Sequence, residues 1–199
     1  MSDFTLASFG TIAAVLFVAE LTDKDAFLLI AVSSKIRWRI AFLAGAVAFT
    51  LTTFLFVVAG SILVAYVPVN WVRLAGGVVM VGYGLWEARG LVGVKEAEEE
   101  ESRIKRASTP WKVFLTMVAT LALLDIAGDA TEVLTIVFVA HYADSVLVFT
   151  GALTGLILAT ALETALGNTL GRVLTASRLR YLSVAVFLLL GFAILLFSY

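Results

Sequence analysis

Eight ionisable residues sit inside otherwise apolar stretches of this 199-residue chain: Glu20, Asp23, Lys24, Asp25, Asp125, Asp129, Glu132 and Glu163. At the centre of a bilayer each charge costs about 2.5–3.5 kcal/mol, so the eight left unpaired would cost about 20 kcal/mol. They must therefore meet each other, a cation or a water-filled cavity. On a helix, Glu20, Asp23 and Lys24 (i, i+3, i+4) share one face, and so do Asp125, Asp129 and Glu132 (i, i+4, i+7). Two acidic stripes facing each other make an oxygen-rich cage, which Lys24 alone cannot neutralise. Hard divalent cations such as Ca²⁺ and Mn²⁺ prefer carboxylate and carbonyl oxygen. Crowded carboxylates also repel one another, so such a site can take up protons when the metal leaves. That is the chemical basis of cation/proton exchange. A purely structural ion-pair network is the competing reading, and it too needs imported cations or protons.

The elements that would position these acids are membrane spans. The chain is 61% hydrophobic and only 15% charged, with mean hydropathy +1.04. A soluble domain carries about 25% charged residues, so a soluble cytosolic enzyme is excluded. Six stretches are long enough for a hydrocarbon core of about 30 Å: Leu6–Val32, Ile40–Val67, Trp71–Val92, Trp111–Ala140, Val146–Leu170 and Leu179–Phe197. Glu20 then lies roughly 20 Å along its helix from Leu6. The first span lacks the basic flank of a cleavable signal and is expected to stay in the membrane. Long uninterrupted apolar runs argue against a β-barrel. The expected fold is thus all-α, a polytopic membrane protein of six helices.

Lys and Arg alternate between the loops. The first, third and fifth loops hold twelve of the 14 basic residues, from Lys35 to Arg180, against Arg73 alone in the second and none in the fourth. The positive-inside rule makes loops one, three and five cytoplasmic and puts both termini outside. The connector at 93–110, rich in glutamate (Glu96, Glu98–Glu101), is then cytoplasmic. It reads as a solvated linker, or as a funnel that collects cations. It divides the chain into 1–92 and 111–199, three spans each.

A shift of 106 residues lays Asp23 on Asp129 and Gly45 on Gly151 and superposes the first acidic patch on the second. Three spans per half is an odd number, so the second copy crosses in the opposite sense. Such inverted repeats are common in secondary transporters, whose substrate sits near the midplane between the halves. Thr22, Thr131 and Thr135 flank the acids, Gly128 permits close backbone approach, and Thr50, Thr52, Thr53, Thr154, Thr160 and Asn168 lie on spans two and five, all polar or small neighbours that could complete a coordination shell. His141 reads as an interfacial residue of a short outer loop. With no cysteine and one histidine, thiolate and multi-histidine metal sites are out. A net charge of −1 gives no reason to expect nucleic acid.

The two acidic segments resemble the repeated Glu-x-Gly-Asp-Lys/Arg-Thr/Ser motif of the Golgi-type manganese and calcium transporter family, within the lysine-exporter superfamily. The first copy runs Glu20-Leu21-Thr22-Asp23-Lys24-Asp25, with Thr22 in place of Gly and Asp25 in place of Thr/Ser. The second runs Ile126-Ala127-Gly128-Asp129-Ala130-Thr131, where Gly, Asp and Thr match and Asp125 stands one position before the missing Glu. The resemblance implies a secondary transporter that exports Mn²⁺ or Ca²⁺ from the cytosol in exchange for protons. Its implied metal ligands are Glu20, Asp23, Asp125 and Asp129. Lys24, Asp25, Thr131, Glu132 and Glu163 would serve proton coupling or support the ligands. No cofactor is expected beyond the transported ion and the counter-moving protons. The expected partners are the bilayer, the cation and, as a candidate, a second copy of the chain.

Neighbouring branches of the superfamily supply the alternatives, export of Cd²⁺ or of a basic amino acid. The latter needs an aromatic-lined pocket, and the sequence places few aromatics near Glu20 or Asp129. An intramembrane aspartyl protease is a remote third reading. Its Gly-x-Gly-Asp signature is not met, because Ile126 occupies the first position.

Overall fold

Both acid-bearing runs break where their charges begin. The computed structural model describes residues 6–88, 104, 109–127, 129–170 and 176–196, without the side chains of Lys24, Glu87, 168–170 and 176–183. Among these residues the chain forms α-helices and no strand. In order they are α1 (Leu6–Glu20), α2 (Lys24–Ser33), α3 (Trp38–Tyr66), α4 (Val69–Ala88), α5 (Pro110–Ile126), α6 (Ala130–Tyr142), α7 (Ser145–Leu170) and α8 (Ala176–Leu196). Gly128, the side chain of Lys24 and most of the connector with its glutamates lie outside the described residues.

The continuous spans expected over Leu6–Val32 and Trp111–Ala140 are therefore corrected to pairs of half-helices, and the acids do not line one unbroken helical face. After Glu20 the backbone tightens: Thr22 N–H donates to the Ala19 carbonyl (3.1 Å) and Asp23 N–H to that of Glu20 (2.9 Å). These i−3 bonds close a helix end. The Thr22 hydroxyl turns back on the carbonyls of Val18 and Ala19. In the second half Asp129 is extended (φ −86°, ψ 153°) and caps α6, its side chain accepting from Ala130 N–H at 2.5 Å. A capping aspartate satisfies a donor that helix geometry leaves open. The axes of α5 and α6 meet at 60°.

α3 (29 residues, hydropathy 2.3) and α7 are long and apolar enough to cross a membrane, and the bent α5–α6 pair would make a third crossing. At 1.5 Å per residue α1, with 15 residues, is about 22 Å long, short of the roughly 30 Å of a hydrocarbon core. The surface of α3 is inverted relative to a soluble helix. Ala41, Ala44, Gly45, Ala48 and Thr52 face inward, while Leu43, Val47, Leu51, Phe54, Leu55, Val58 and Ile62 face out. Small residues let membrane helices approach closely, and lipid accepts the large apolar ones.

The packing is reciprocal between the halves. α1 and α2 lie against α7, and α5 and α6 lie against α3. α3 also packs on α7, and α4 on α8. Gly155 is needed at the α1–α7 crossing, since a Cβ there would collide with the Ala13 carbonyl. The breaks obey the 106-residue shift: α1 ends at Glu20 and α5 at Ile126, while α2 begins at Lys24 and α6 at Ala130. His141 lies in the last turn of α6 and not in a loop, and its Nδ1 accepts a hydrogen bond from Arg73 Nη2 of α4 at 2.8 Å.

Candidate metal centre

Four half-helix ends converge on one buried point. α1 and α5 arrive with their carbonyl ends, carrying Glu20 and Asp125. α2 and α6 depart with their N-terminal ends, carrying Asp25 and, at the cap, Asp129. N-terminal helix ends favour negative charge through their unpaired N–H groups and their dipole. Helix breaks of this kind also free backbone carbonyls that can coordinate a cation, and they occur where the backbone lines a site.

One oxygen each from Asp25, Asp125 and Asp129 lies within 4.8 Å of the others, and all three residues have no exposed surface. Thr52 of α3 donates its hydroxyl to Asp125 Oδ2 at 2.6 Å. Thr131 donates to Asp129 Oδ2 at 3.3 Å. Two carboxylate charges about 5 Å apart repel by about 3 kcal/mol even at an effective dielectric of about 20. Three such pairs cannot persist as bare anions, so the cluster holds a cation, protons or both.

The sequence-predicted residues divide into those that meet and those that do not. Asp125 and Asp129 meet, and Asp25, expected in a supporting role, joins them. Glu20 and Asp23, expected as ligands, do not come within the same distance of all three. Asp23 Oδ1 instead accepts from the Tyr83 hydroxyl of α4 at 3.2 Å. Glu132 is buried in the first turn of α6, near Asp125 and Asp129. Glu163, also fully buried, lies on α7, and neither of its carboxylate oxygens has a hydrogen-bond partner among the described residues.

The chain matches the family described as Divalent cation/proton antiporter GDT1 over residues 8–93 and again over 113–199. The chain belongs to this family. As a GDT1 protein it is a membrane transporter of divalent cations and protons, and each matched segment contains one acidic helix break. Comparison with curated proteins and with solved structures finds no match.

Tyr83 escaped the sequence reading. Its signal is a tyrosine in the apolar middle of a span, whose hydroxyl needs a partner when buried. It also brings an aromatic wall, packed edge-on against Phe187 with ring centroids 5.0 Å apart, to acids that sequence distance made look remote from aromatics. The breaks carried a signal too: Asp129-x-x-Glu132 before an apolar run is a helix-start pattern.

Proposed function

We propose that the protein exports Mn²⁺ or Ca²⁺ from the cytosol in exchange for protons, and that Asp25, Asp125 and Asp129 form the core of the ion site. The observation that carries this reading is the convergence of these three buried carboxylates from the broken helices of both halves. Three carboxylates offer up to six oxygens, and the Thr52 and Thr131 hydroxyls orient two of them. This all-oxygen chemistry suits hard divalent ions.

In this reading 1–92 and 111–199 are two inverted repeats of three spans each. α1–α2 counts as one broken span and α5–α6 as the other, and both termini lie outside. Cytosolic metal enters the cage and displaces protons. The halves then rock about the α3–α7 and α4–α8 contacts, and protons from the outer side release the ion. Asp23 stands at the rim on Tyr83. Thr131 supports Asp129 through its hydroxyl, and Glu132 and Lys24 are assigned to proton coupling.

Reconstituted protein in sealed vesicles tests the reading. A pH gradient is expected to drive uphill Mn²⁺ or Ca²⁺ movement, with reciprocal proton flux. Cation movement that ignores an imposed or collapsed gradient would overturn exchange. Calorimetry with metals and with basic amino acids separates metal export from amino-acid export, and only the metals are expected to bind.

A further inference from the structure

A cavity of about 340 Å³ lies apart from the acids, near the start of α1 and the end of α8. Ligand pockets run to about 300–1,000 Å³ and are mostly apolar, with a few polar groups. Arg73 of α4 and His141 and Tyr142 of α6 form its polar end, while Phe138 of α6 and Ile194 of α8 line its apolar part. No acidic residue lines it. His141 stands eleven residues beyond Ala130, roughly 16 Å from the start of α6, which separates the cavity from the aspartate cluster. Helix packing produces the space. α1 rests on α7 and α8 on α4, and α1 and α8 meet each other only slightly, so a crevice is left between them. Buried Val137 closes its inner side, and exposed Thr11 stands at its rim. A Cβ at Gly76 would collide with the Val137 side chain, so glycine there lets α4 seat closely on α6 and bring Arg73 beside His141.

The polar end carries a cation that nothing neutralises. Arg73 donates one N–H to His141 Nδ1 at 2.8 Å, its Nε is buried without a partner, and no carboxylate among the described residues pairs with it. Arginine only donates, so Nδ1 is the acceptor and the ring N–H of His141 is Nε2. The remaining guanidinium N–H groups and this imidazole N–H are all donors, the complement of an anion, and guanidinium fits phosphate in a two-pronged geometry. Depth in the bilayer gives that anion a tail. Trp71, 64% exposed, stands two residues before Arg73 on α4, and such tryptophans mark the headgroup level. Phe138 precedes His141 by one turn of α6 and lies about 5 Å deeper.

We propose that the crevice holds one anionic phospholipid of the bilayer, its phosphate on Arg73 and His141 and an acyl chain along Phe138 and Ile194. A zwitterionic lipid would bring an ammonium group to the same place, where no acidic residue receives it. A phosphatidylglycerol-type head is therefore preferred over phosphatidylcholine. Bound there, the lipid neutralises the charge at the α4–α6 contact and fills the gap between α1 and α8.

Native mass spectrometry of the full chain in neutral detergent, titrated with phosphatidylglycerol or phosphatidylcholine, tests the proposal. The wild type is expected to retain one phosphatidylglycerol under conditions that strip phosphatidylcholine. Arg73→Gln should weaken that retention roughly tenfold, the worth of a lost charge-assisted hydrogen bond, and Arg73→Lys should restore part of it. Ile194→Trp fills the apolar part without touching the charge and should also expel the lipid, so the test stands even if Arg73→Gln does not fold. Retention equal to wild type in either folded variant, as for lipid held by the basic residues of the first, third and fifth loops, would overturn the proposal. Displacement of the lipid by inorganic phosphate would also overturn it, in favour of a free-anion site.

Discussion

The two helix breaks are built to one plan but place their acids differently. In the first half α1 ends on Glu20, and the equivalent of Asp125 is Ala19. In the second half α5 carries Asp125, and the equivalent of Glu20 is Ile126. The acid has moved by one residue, which turns it by about 100° around the helix. Asp125 consequently meets the hydroxyl of Thr52 of α3, while the buried Glu20 carboxylate has no hydrogen-bond partner among the described residues. After the break the difference reverses. Asp129 caps α6 and takes the hydroxyl of Thr131, whereas its counterpart Asp23 is held by Tyr83, and Asp25, the counterpart of Thr131, enters the cluster. An approximate repeat thus supplies the scaffold, and small offsets within it divide the roles of the acids.

The largest effects are expected where the second half commits its acids. Asp125→Asn and Asp129→Asn should each lower pH-driven cation flux by more than about 100-fold, since even supporting residues around a metal are worth about 10–100-fold. Flux assays in vesicles check this, and near-wild-type flux in either variant would undo the contrast between the halves.

A comparable loss with a different cause is expected from Gly155→Val. Its side chain would meet the backbone of α1 at Ala13 and Phe17, and overpacking costs about 1–3 kcal/mol or more. Thermal unfolding in detergent should show a lowered midpoint. An unchanged midpoint would mean that α1 does not press on α7.

Thr52→Val keeps the shape of the side chain and removes the hydroxyl from Asp125. Metal affinity should fall by about 10-fold, and titration with Mn²⁺ measures it. The smallest effect belongs to Tyr83→Phe, which removes one hydrogen bond from Asp23, worth about 1 kcal/mol. A several-fold rise in the metal concentration for half-maximal flux is expected. A loss as large as that of Asp125→Asn would place Asp23 inside the ion site and make the two halves more alike.

Much of this architecture is legible in the residues. Burying Glu20, Asp25, Asp125, Asp129 and Glu163 in apolar runs forces them to converge, and the 106-residue shift aligns the two breaks. The breaks themselves are only faintly marked, because the runs around them are apolar on every side and leave no periodicity to interrupt, and the Asp129-x-x-Glu132 pattern signals the second alone. The choice of Asp25 over Asp23 is also invisible in one dimension. It depends on Asp23 lying in the turn between the half-helices, where Tyr83 reaches it, while Asp25 rides on the first turn of α2. The close packing of α1 on α7 is likewise permitted by the glycines at 151 and 155 but not announced by them.

Asp25 separates the structure from the repeated motif most directly, because the motif puts Thr or Ser there and the fold puts that carboxylate at the centre. The decisive measurement is pH-gradient-driven Mn²⁺ flux in vesicles holding correctly folded Asp25→Asn protein. Flux reduced to the level of protein-free vesicles is the predicted result. Flux equal to that of the wild type would contradict a cation site built on the three converging aspartates.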